Sequence, residues 1–233
     1  MDIHLHYREA GSGEVMLLLH GNDENGGYFK HQIEYFSKKY RVIAPDTRGH
    51  GDSPRGTAPF SIHQFAVDLN DFMDELGIER AIILGFSDGA NIAMDFALHY
   101  PEKVRVLILN AGNLYPSGMT LPVQLSVEIG YRIAKRAAGK SPEALRRAEM
   151  LEIMAREPNL KPEDLHRITA PTLVIAGTND LIRTSHTKEI AANLPLTRLA
   201  IIPGPHAVAA KSPERFNEEV EKFLQAAAVC ELA

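Results

Sequence analysis

Ser87 is the residue whose surroundings most clearly indicate chemistry. It lies at the centre of Gly85 to Gly89, which reads Gly-Phe-Ser-Asp-Gly, between the apolar run Ala81 to Leu84 and a helical pattern that begins near Ala90. Small residues at a strand-to-helix turn permit a sharp, strained bend that presents the serine hydroxyl above the sheet. The stretch therefore predicts a nucleophilic serine. The alternative is a glycine-rich turn in which the serine only caps the helix.

A serine hydroxyl is a weak nucleophile near neutral pH, so it needs a base whose pKa lies near the working pH. His206 suits this role and follows the last predicted strand, Arg198 to Ile202. Asp180 follows the preceding predicted strand, Thr172 to Ala176. Because the carboxyl ends of parallel strands share one sheet edge, these side chains can meet Ser87 there. We predict Ser87 as nucleophile, His206 as base and Asp180 as the acid that orients the histidine.

Acyl transfer at a serine also needs two N–H donors for the developing oxyanion. The backbone N–H of Asp88, directly after the nucleophile, is one candidate. The backbone N–H of Asn22 is the other, because it follows the predicted strand Val15 to Leu19 and Gly21 lets the backbone approach closely. Gly21 and Asp88 are also predicted to contact the substrate.

The elements that must position these residues alternate between apolar runs and helical patterns. Ile3 to Tyr7 alternates apolar and polar residues and is predicted to pair antiparallel at a sheet edge. Six further strands are predicted, at Val15 to Leu19, Arg41 to Ala44, Ala81 to Phe86, Val104 to Leu109, Thr172 to Ala176 and Arg198 to Ile202. Helices are predicted at Tyr28 to Ser37, Ser61 to Leu76, Ala90 to His99, Ser185 to Asn193 and Ser212 to Ala227. The pattern predicts the α/β class with a mostly parallel, doubly wound sheet.

The interval from Asn113 to Thr169 interrupts this alternation. It contains helical stretches near Val123 to Ala137 and Pro142 to Ala155. We interpret it as a short helical cap inserted after the strand ending near Leu109, within one domain spanning residues 1–233. Its apolar positions are Leu121, Val123, Leu125, Val127, Ile129, Leu145, Met150, Leu151 and Met154. Most of these nine are expected to seat the cap on the core and not to contact substrate.

Composition restricts the partners. A net charge of -5 and a pI of about 6.1 give no electrostatic reason to approach nucleic acid or an anionic membrane. The chain shows neither a signal-peptide pattern nor an apolar run of membrane-spanning length, so we expect a cytoplasmic protein acting on a small molecule. Cys230 is the single cysteine and is expected to have no disulfide or metal role. Metal and organic cofactors are not expected, and the oligomeric state is left open.

The sequence resembles the α/β-hydrolase superfamily. The resemblance rests on His20-Gly21, on the stretch Asp46 to Ser53, on the turn around Ser87, and on the Asp180 and His206 loops. In that family the second stretch is architectural, so the resemblance implies that Asp46, Arg48 and His50 build a turn and do not catalyse. The haloalkane dehalogenases and epoxide hydrolases, which also resemble this chain, have an aspartate where Ser87 stands. Their chemistry is therefore not expected.

Among serine members, the Ser-Asp-Gly turn is similar to that of the valacyclovir hydrolase group. The acid after the nucleophile is associated there with binding a substrate ammonium, which would give Asp88 this role. The alternative is that an acid in a first helical turn simply complements the helix dipole. Asp23 and Glu24 would add negative potential if they face the pocket.

Three functions remain open. The leading one is hydrolysis of a carboxylic ester, in its sharper form an amine-bearing ester, through an acyl-enzyme. The same residues could instead cleave a C–C bond, a thioester or an N-terminal peptide bond. The third is a ligand-binding or signalling protein of this fold, although no member of the predicted Ser-His-Asp set is missing.

Overall fold

A computed structural model of the protein describes the backbone of residues 2–231 and the side chains of residues 2–228. The side chain of Cys230 lies outside the described part. Seven strands form one sheet in the order β1-β3-β2-β4-β5-β6-β7, in which β1 is antiparallel to β3 and all other pairs are parallel. The strands are β1 Tyr7–Ala10, β2 Val15–Leu19, β3 Arg41–Pro45, β4 Ala81–Phe86, β5 Val104–Asn110, β6 Thr172–Asn179 and β7 Thr197–Pro205.

Eight α-helices connect or follow these strands in the described part. They are α1 Lys30–Phe36, α2 Ile62–Glu75, α3 Asp88–His99, α4 Leu121–Ala137, α5 Pro142–Arg156, α6 Thr184–Asn193, α7 Val208–Lys211 and α8 Pro213–Glu231. Ser61 caps α2 by accepting the backbone N–H of Gln64 at 3.1 Å. Among the described residues, no helix combines the length and apolar character needed to cross a membrane.

Helices cover both faces of the sheet, as the doubly wound prediction requires. Successive residues of β2 point to opposite faces, so Leu17 packs with Phe72 and Phe96 in one core cluster. Met16 packs with Phe216 in the other cluster. All six residues of β4 are buried, because this central strand is covered on both sides. The predicted α/β class and mostly parallel sheet are confirmed.

The predicted edge strand Ile3 to Tyr7 is wrong in its position. Ile3 and Leu5 are buried as the alternation indicates, but β-pairing begins only at Tyr7. His6 instead bonds to the turn after β3, where its backbone N–H donates to Ser53 Oγ at 2.8 Å and its carbonyl accepts from the N–H of Asp46. The alternation of apolar and polar residues therefore predicts which side chains of this segment are buried, but not what its backbone bonds to.

Helices α4 and α5 lie between β5 and β6, where the cap was predicted. The inner face of α4 is buried through Val127, Tyr131 and Ala134. The expectation that the apolar cap positions seat on the core is wrong for four of them, which are exposed: Leu121, Leu125, Ile129 and Leu145.

The turn after β3 contains a fully buried arginine. Arg48 donates from Nε and Nη2 to the two carboxylate oxygens of Asp68 on α2, each at 2.7 Å, and from Nη1 to the carbonyl of Arg55. Arg48 also pairs with Asp2, whose carboxylate is one-third exposed. The bidentate geometry ties the turn, α2 and the N-terminus together.

We predict that Asp68→Asn lowers the free energy of unfolding by about 3 kcal/mol, because it leaves the buried Arg48 charge with only part of its compensation. Asp74→Asn is the matched control, since Asp74 lies on the same helix but is 62% exposed in its pair with Lys103. That control should change stability by less than about 1 kcal/mol. Urea denaturation of the three proteins measures both effects, and equal losses would contradict the prediction.

Candidate active site

Ser87 occupies the sharp turn between β4 and α3, with φ of 53° and ψ of -119°. A non-glycine residue with positive φ is strained, and such strain persists only where the surroundings impose it. Two glycines impose it here. A Cβ at Gly85 would collide with the carbonyl of Gly89, and a Cβ at Gly89 would collide with the carbonyl of Leu19 on β2. Close packing of the turn against β2 thus holds Ser87 in the strained conformation.

The structure brings Ser87, His206 and Asp180 together. His206 Nε2 lies 3.1 Å from Ser87 Oγ, and His206 Nδ1 lies 2.6 Å from Asp180 Oδ1. The histidine follows β7 and the aspartate follows β6, so both extend from the carboxyl edge of the sheet beside the turn after β4. The arrangement lets the histidine accept the serine proton while the carboxylate holds its ring and stabilises the imidazolium.

Asp180 is fixed by more than the histidine. Its side chain is 2% exposed, and its carboxylate accepts the backbone N–H of Ile182 at 2.9 Å and of Gly177 at 3.3 Å. His206 is 18% exposed and packs against Phe86, with ring centroids 5.0 Å apart. The two N–H groups fix the orientation of the carboxylate, and the partly exposed imidazole remains reachable by substrate and water.

The loop after β2 is shaped by His20. His20 is 1% exposed, and burial lowers its pKa. The ring is neutral in this structure, because one of its nitrogens accepts a backbone N–H. Nδ1 donates to the carbonyl of Gly21 at 2.7 Å, and Nε2 accepts the backbone N–H of Thr47 at 3.0 Å. The ring therefore fixes the path of the chain through Gly21 and Asn22.

The side chains of Asn22 and Asp88 are in direct contact. Asn22 Nδ2 donates to Asp88 Oδ2 at 2.8 Å and to the carbonyl of Met150 on the cap helix α5 at 3.1 Å. Neither the Asn22 nor the Asp88 backbone N–H donates to another backbone group within residues 2–231. The sequence suggested the backbone of Asn22 but not its side-chain link to the cap, which depends on how α5 packs.

A cavity of about 980 Å³ lies between the sheet edge and the cap. Ser87, His206, Gly21 and Asn22 line its floor, and Met150, Leu151 and Met154 of α5 line its roof. Sequence reasoning placed these three cap residues among those that seat the cap. Their side chains border the space where a substrate would lie, which the spacing along α5 could not reveal.

A second, smaller cavity of about 30 Å³ is also lined by Ser87 and His206. Asp88 and Glu157 both line it. Burial raises the pKa of Asp88, although hydrogen bonds from Asn22 and Asn91 oppose the shift. Burial also raises the pKa of Glu157, opposed by the N–H of Ile62 and reinforced by nearby acids. Sequence reasoning did not identify Glu157, because it lies far from Asp88 along the chain.

Asp23 and Glu24 both line the large cavity. Burial raises the pKa of the Glu24 carboxyl from its ordinary 4.5 to about 7, while the N–H of Gly21 and the nearby His206 lower it. Glu24 Oε2 accepts that N–H at 3.1 Å, and a Cβ at Gly21 would lie 3.2 Å from the same oxygen and from the Phe86 ring. Glu24 thus supports the loop at Gly21 through a hydrogen bond, and a larger side chain at position 21 would crowd Glu24 and Phe86.

A family model for the alpha/beta hydrolase fold matches residues 14–145, which is more than half of the chain. The chain belongs to the α/β-hydrolase fold family. This confirms the resemblance identified from the sequence. The matched range contains Asn22 and Ser87, whereas Asp180 and His206 lie beyond it, so their roles rest on the geometry alone.

Among similar proteins, a 3-oxoadipate enol-lactonase of Acinetobacter baylyi is 29% identical, over 96% of this α/β-hydrolase chain and 94% of that protein. An uncharacterised protein of Mycobacterium tuberculosis is 34% identical, over 62% of this chain and 40% of that protein. The chain thus spans less than half the length of this relative. A thermophilic esterase from Thermogutta terrifontis has a TM-score of 0.81 at 24% identity, over 97% of this chain and 94% of that one. At this identity the likeness concerns the fold alone.

Glu24 provides a test of the site's electrostatics. A carboxyl whose pKa is higher in the folded than in the unfolded chain contributes stability below pH 4.5 that is lost as the pH rises through about 7. We predict that Glu24→Gln, which keeps the acceptor for Gly21, gains about 1–2 kcal/mol relative to the parent protein between pH 5 and pH 8, after allowance for solvent screening. Urea denaturation of both proteins at the two pH values measures this. A stability difference that does not change with pH would exclude the proposed burial of the Glu24 charge.

Proposed function

We propose that this α/β-hydrolase cleaves a small carboxylic ester through an acyl-enzyme, with Ser87 as nucleophile, His206 as general base and Asp180 as orienting acid. The observation that carries the proposal is the pair of hydrogen-bond distances, 3.1 Å from serine to histidine and 2.6 Å from histidine to aspartate. These distances occur at a strained turn beside a cavity large enough for a small substrate.

In the proposed first step, His206 takes the Ser87 proton as Oγ attacks the ester carbonyl carbon. The tetrahedral intermediate collapses as the imidazolium gives that proton to the departing alcohol oxygen. In the second step, His206 deprotonates a water molecule that attacks the acyl-serine, and the acid leaves as Ser87 regains its proton. Asp180 remains ionised throughout and stabilises the imidazolium.

We assign the oxyanion to the backbone N–H groups of Asn22 and Asp88. Support comes from the fixed path of the loop through Gly21, which His20 and Glu24 hold by hydrogen bonds. Fixed N–H donors stabilise developing charge because they need no reorganisation during the reaction.

The choice of an ester over other bonds draws on the named relatives. The Acinetobacter enol-lactonase aligns over nearly the whole of both chains, and a lactone is a cyclic ester. Cleavage of a C–C bond, a thioester or an N-terminal peptide bond by the same residues remains the second candidate. A substrate panel with one member of each class separates these from ester hydrolysis.

We predict that Ser87→Ala lowers kcat for short-chain p-nitrophenyl esters at least about 10³-fold, because no group replaces the nucleophile. Ser126→Ala, which changes an exposed serine on α4, is the matched control and should retain full activity. Steady-state rates of the two variants and the parent protein give the comparison. Undiminished turnover by a well-folded Ser87→Ala protein would refute the nucleophile assignment.

The sharper form of the proposal is that the ester carries an amine. Asp88 lies next to Ser87 and lines the small cavity, and Glu157 adds a second carboxylate to the same lining. Both carboxyl pKa values are raised by burial, and a substrate ammonium would restore the favourable environment for their charged forms. An amine subsite here would place the cation beside the scissile carbonyl.

This form predicts faster hydrolysis of an α-amino acid ester than of its N-acetylated counterpart. We expect Asp88→Asn to reduce that preference about tenfold or more, since a hydrogen bond between charged groups is worth about 1.5–3 kcal/mol. Glu143→Gln is the control, because Glu143 lines the large cavity at an exposed position. The ratio of kcat/KM values for the two esters is the measurement. If Asp88→Asn leaves the ratio unchanged, the amine role is wrong and the ester proposal stands unaltered.

A further inference from the structure

A cluster of three side chains that can bind metal lies at the opposite end of α3 from Ser87. His63 belongs to α2, whereas Asp95 and His99 are four residues apart on α3 and share one face of that helix. From this juxtaposition we propose that His63, Asp95 and His99 form a binding site for a divalent transition-metal ion such as Zn²⁺.

The distances suit coordination. Nδ1 of His63 lies 2.9 Å from Asp95 Oδ2, and Nδ1 of His99 lies 3.4 Å from the same oxygen. In a tetrahedral zinc site, ligand atoms at about 2.0–2.1 Å from the ion are separated from one another by about 3.3 Å. One ligand atom from each residue lies within 4.8 Å of the other two, an upper limit that is wider than the zinc spacing. Metal binding therefore requires side-chain rotations that bring the ligand atoms closer together and release the hydrogen bond from His99 Nδ1 to the carbonyl of Asp95, at 2.8 Å.

One of the three side chains is buried and two are exposed, which suits a metal site that solvent can reach. Asp95 is largely buried and fixes one ligand, whereas the side chains of His63 and His99 are 59% and 46% exposed. Solvent can therefore deliver the ion and occupy the remaining coordination position. Imidazole and carboxylate together favour Zn²⁺, Ni²⁺ or Co²⁺ over Ca²⁺ and Mg²⁺, which take oxygen ligands.

A second cluster of histidine and acid residues has the same division of burial but a different set of ligands. In the group His6, Asp46 and Asp52, only one histidine is present, and Asp46 already accepts the backbone N–H groups of Gly26 and Asp52. Its carboxylate is committed to holding the turn after β3. It therefore serves as an internal comparison for the proposed site.

An ion bound by His63, Asp95 and His99 would join α2 to α3. Given the rise of 1.5 Å per residue along α3, Asp95 lies about 12 Å and His99 about 18 Å from Ser87, so the site does not contact the reacting atoms. The expected consequence of binding is greater stability of the folded chain, because the ion binds the folded arrangement and not the separated helices.

The test uses the full-length protein without a polyhistidine tag, freed of metal by chelation and titrated with ZnCl₂ by isothermal calorimetry. We expect one Zn²⁺ per chain with micromolar affinity. His63→Ala and His99→Ala should each weaken binding at least tenfold, whereas the matched control His6→Ala should bind like the parent protein. All three changes remove exposed rings, so circular dichroism should report unchanged folding.

Two further readouts separate a formed site from scattered surface binding. Co²⁺ should give the visible absorption of a low-symmetry site in the parent protein and lose it in the His63→Ala, His99→Ala double variant. Zn²⁺ should raise Tm in the parent protein and not in the double variant. The proposal is overturned if the parent protein shows no saturable binding, or if the double variant binds Zn²⁺ with unchanged affinity.

Discussion

Close contact between the turn at Ser87 and strand β2 is the constraint on which the site depends. Gly89 lies so near the carbonyl of Leu19 that no side chain fits between them, and Gly85 meets the carbonyl of Gly89 in the same way. The contact forces Ser87 into positive φ at a local cost of about 1–3 kcal/mol. That cost is offset by the wholly buried strand β4, whose neighbours β2 and β5 hold the turn in place.

The same edge of the sheet determines which residues can join Ser87. Parallel strands deliver their following loops to one side, so β6 and β7 bring Asp180 and His206 to the serine from far along the chain. The loop after β2 arrives beside them, and His20 sets its path through two hydrogen bonds of a neutral ring. Elements that are distant in sequence thereby form one geometry, because each contributes only a loop position to a rigid sheet.

This part of the structure could be predicted from the sequence, since the alternation of strands and helices, the turn at Ser87 and the loops of Asp180 and His206 depend on local pattern and topology. It did less well where partners are set by packing in three dimensions. Ile3 and Leu5 alternate like strand residues, but their neighbour is a turn. Asp88 and Glu157 line the same cavity, and His63 on α2 contacts Asp95 and His99 on α3, so these residues come together from separate elements. No spacing along the chain encodes those contacts.

The cap is where sequence patterns were least informative, and this has a physical reason. An amphipathic helix on a cap has two partners, the core beneath it and the cavity beside it, and hydrophobicity is compatible with either. Met150 shows the consequence: its side chain borders the large cavity while its carbonyl accepts the hydrogen bond from Asn22. Asn22 donates from the same amide to Asp88. A shift of α5 would therefore change both the roof of the large cavity and the hydrogen bonding of Asp88. The shape of the space for substrate is thus coupled to the environment of the Asp88 carboxyl beside Ser87.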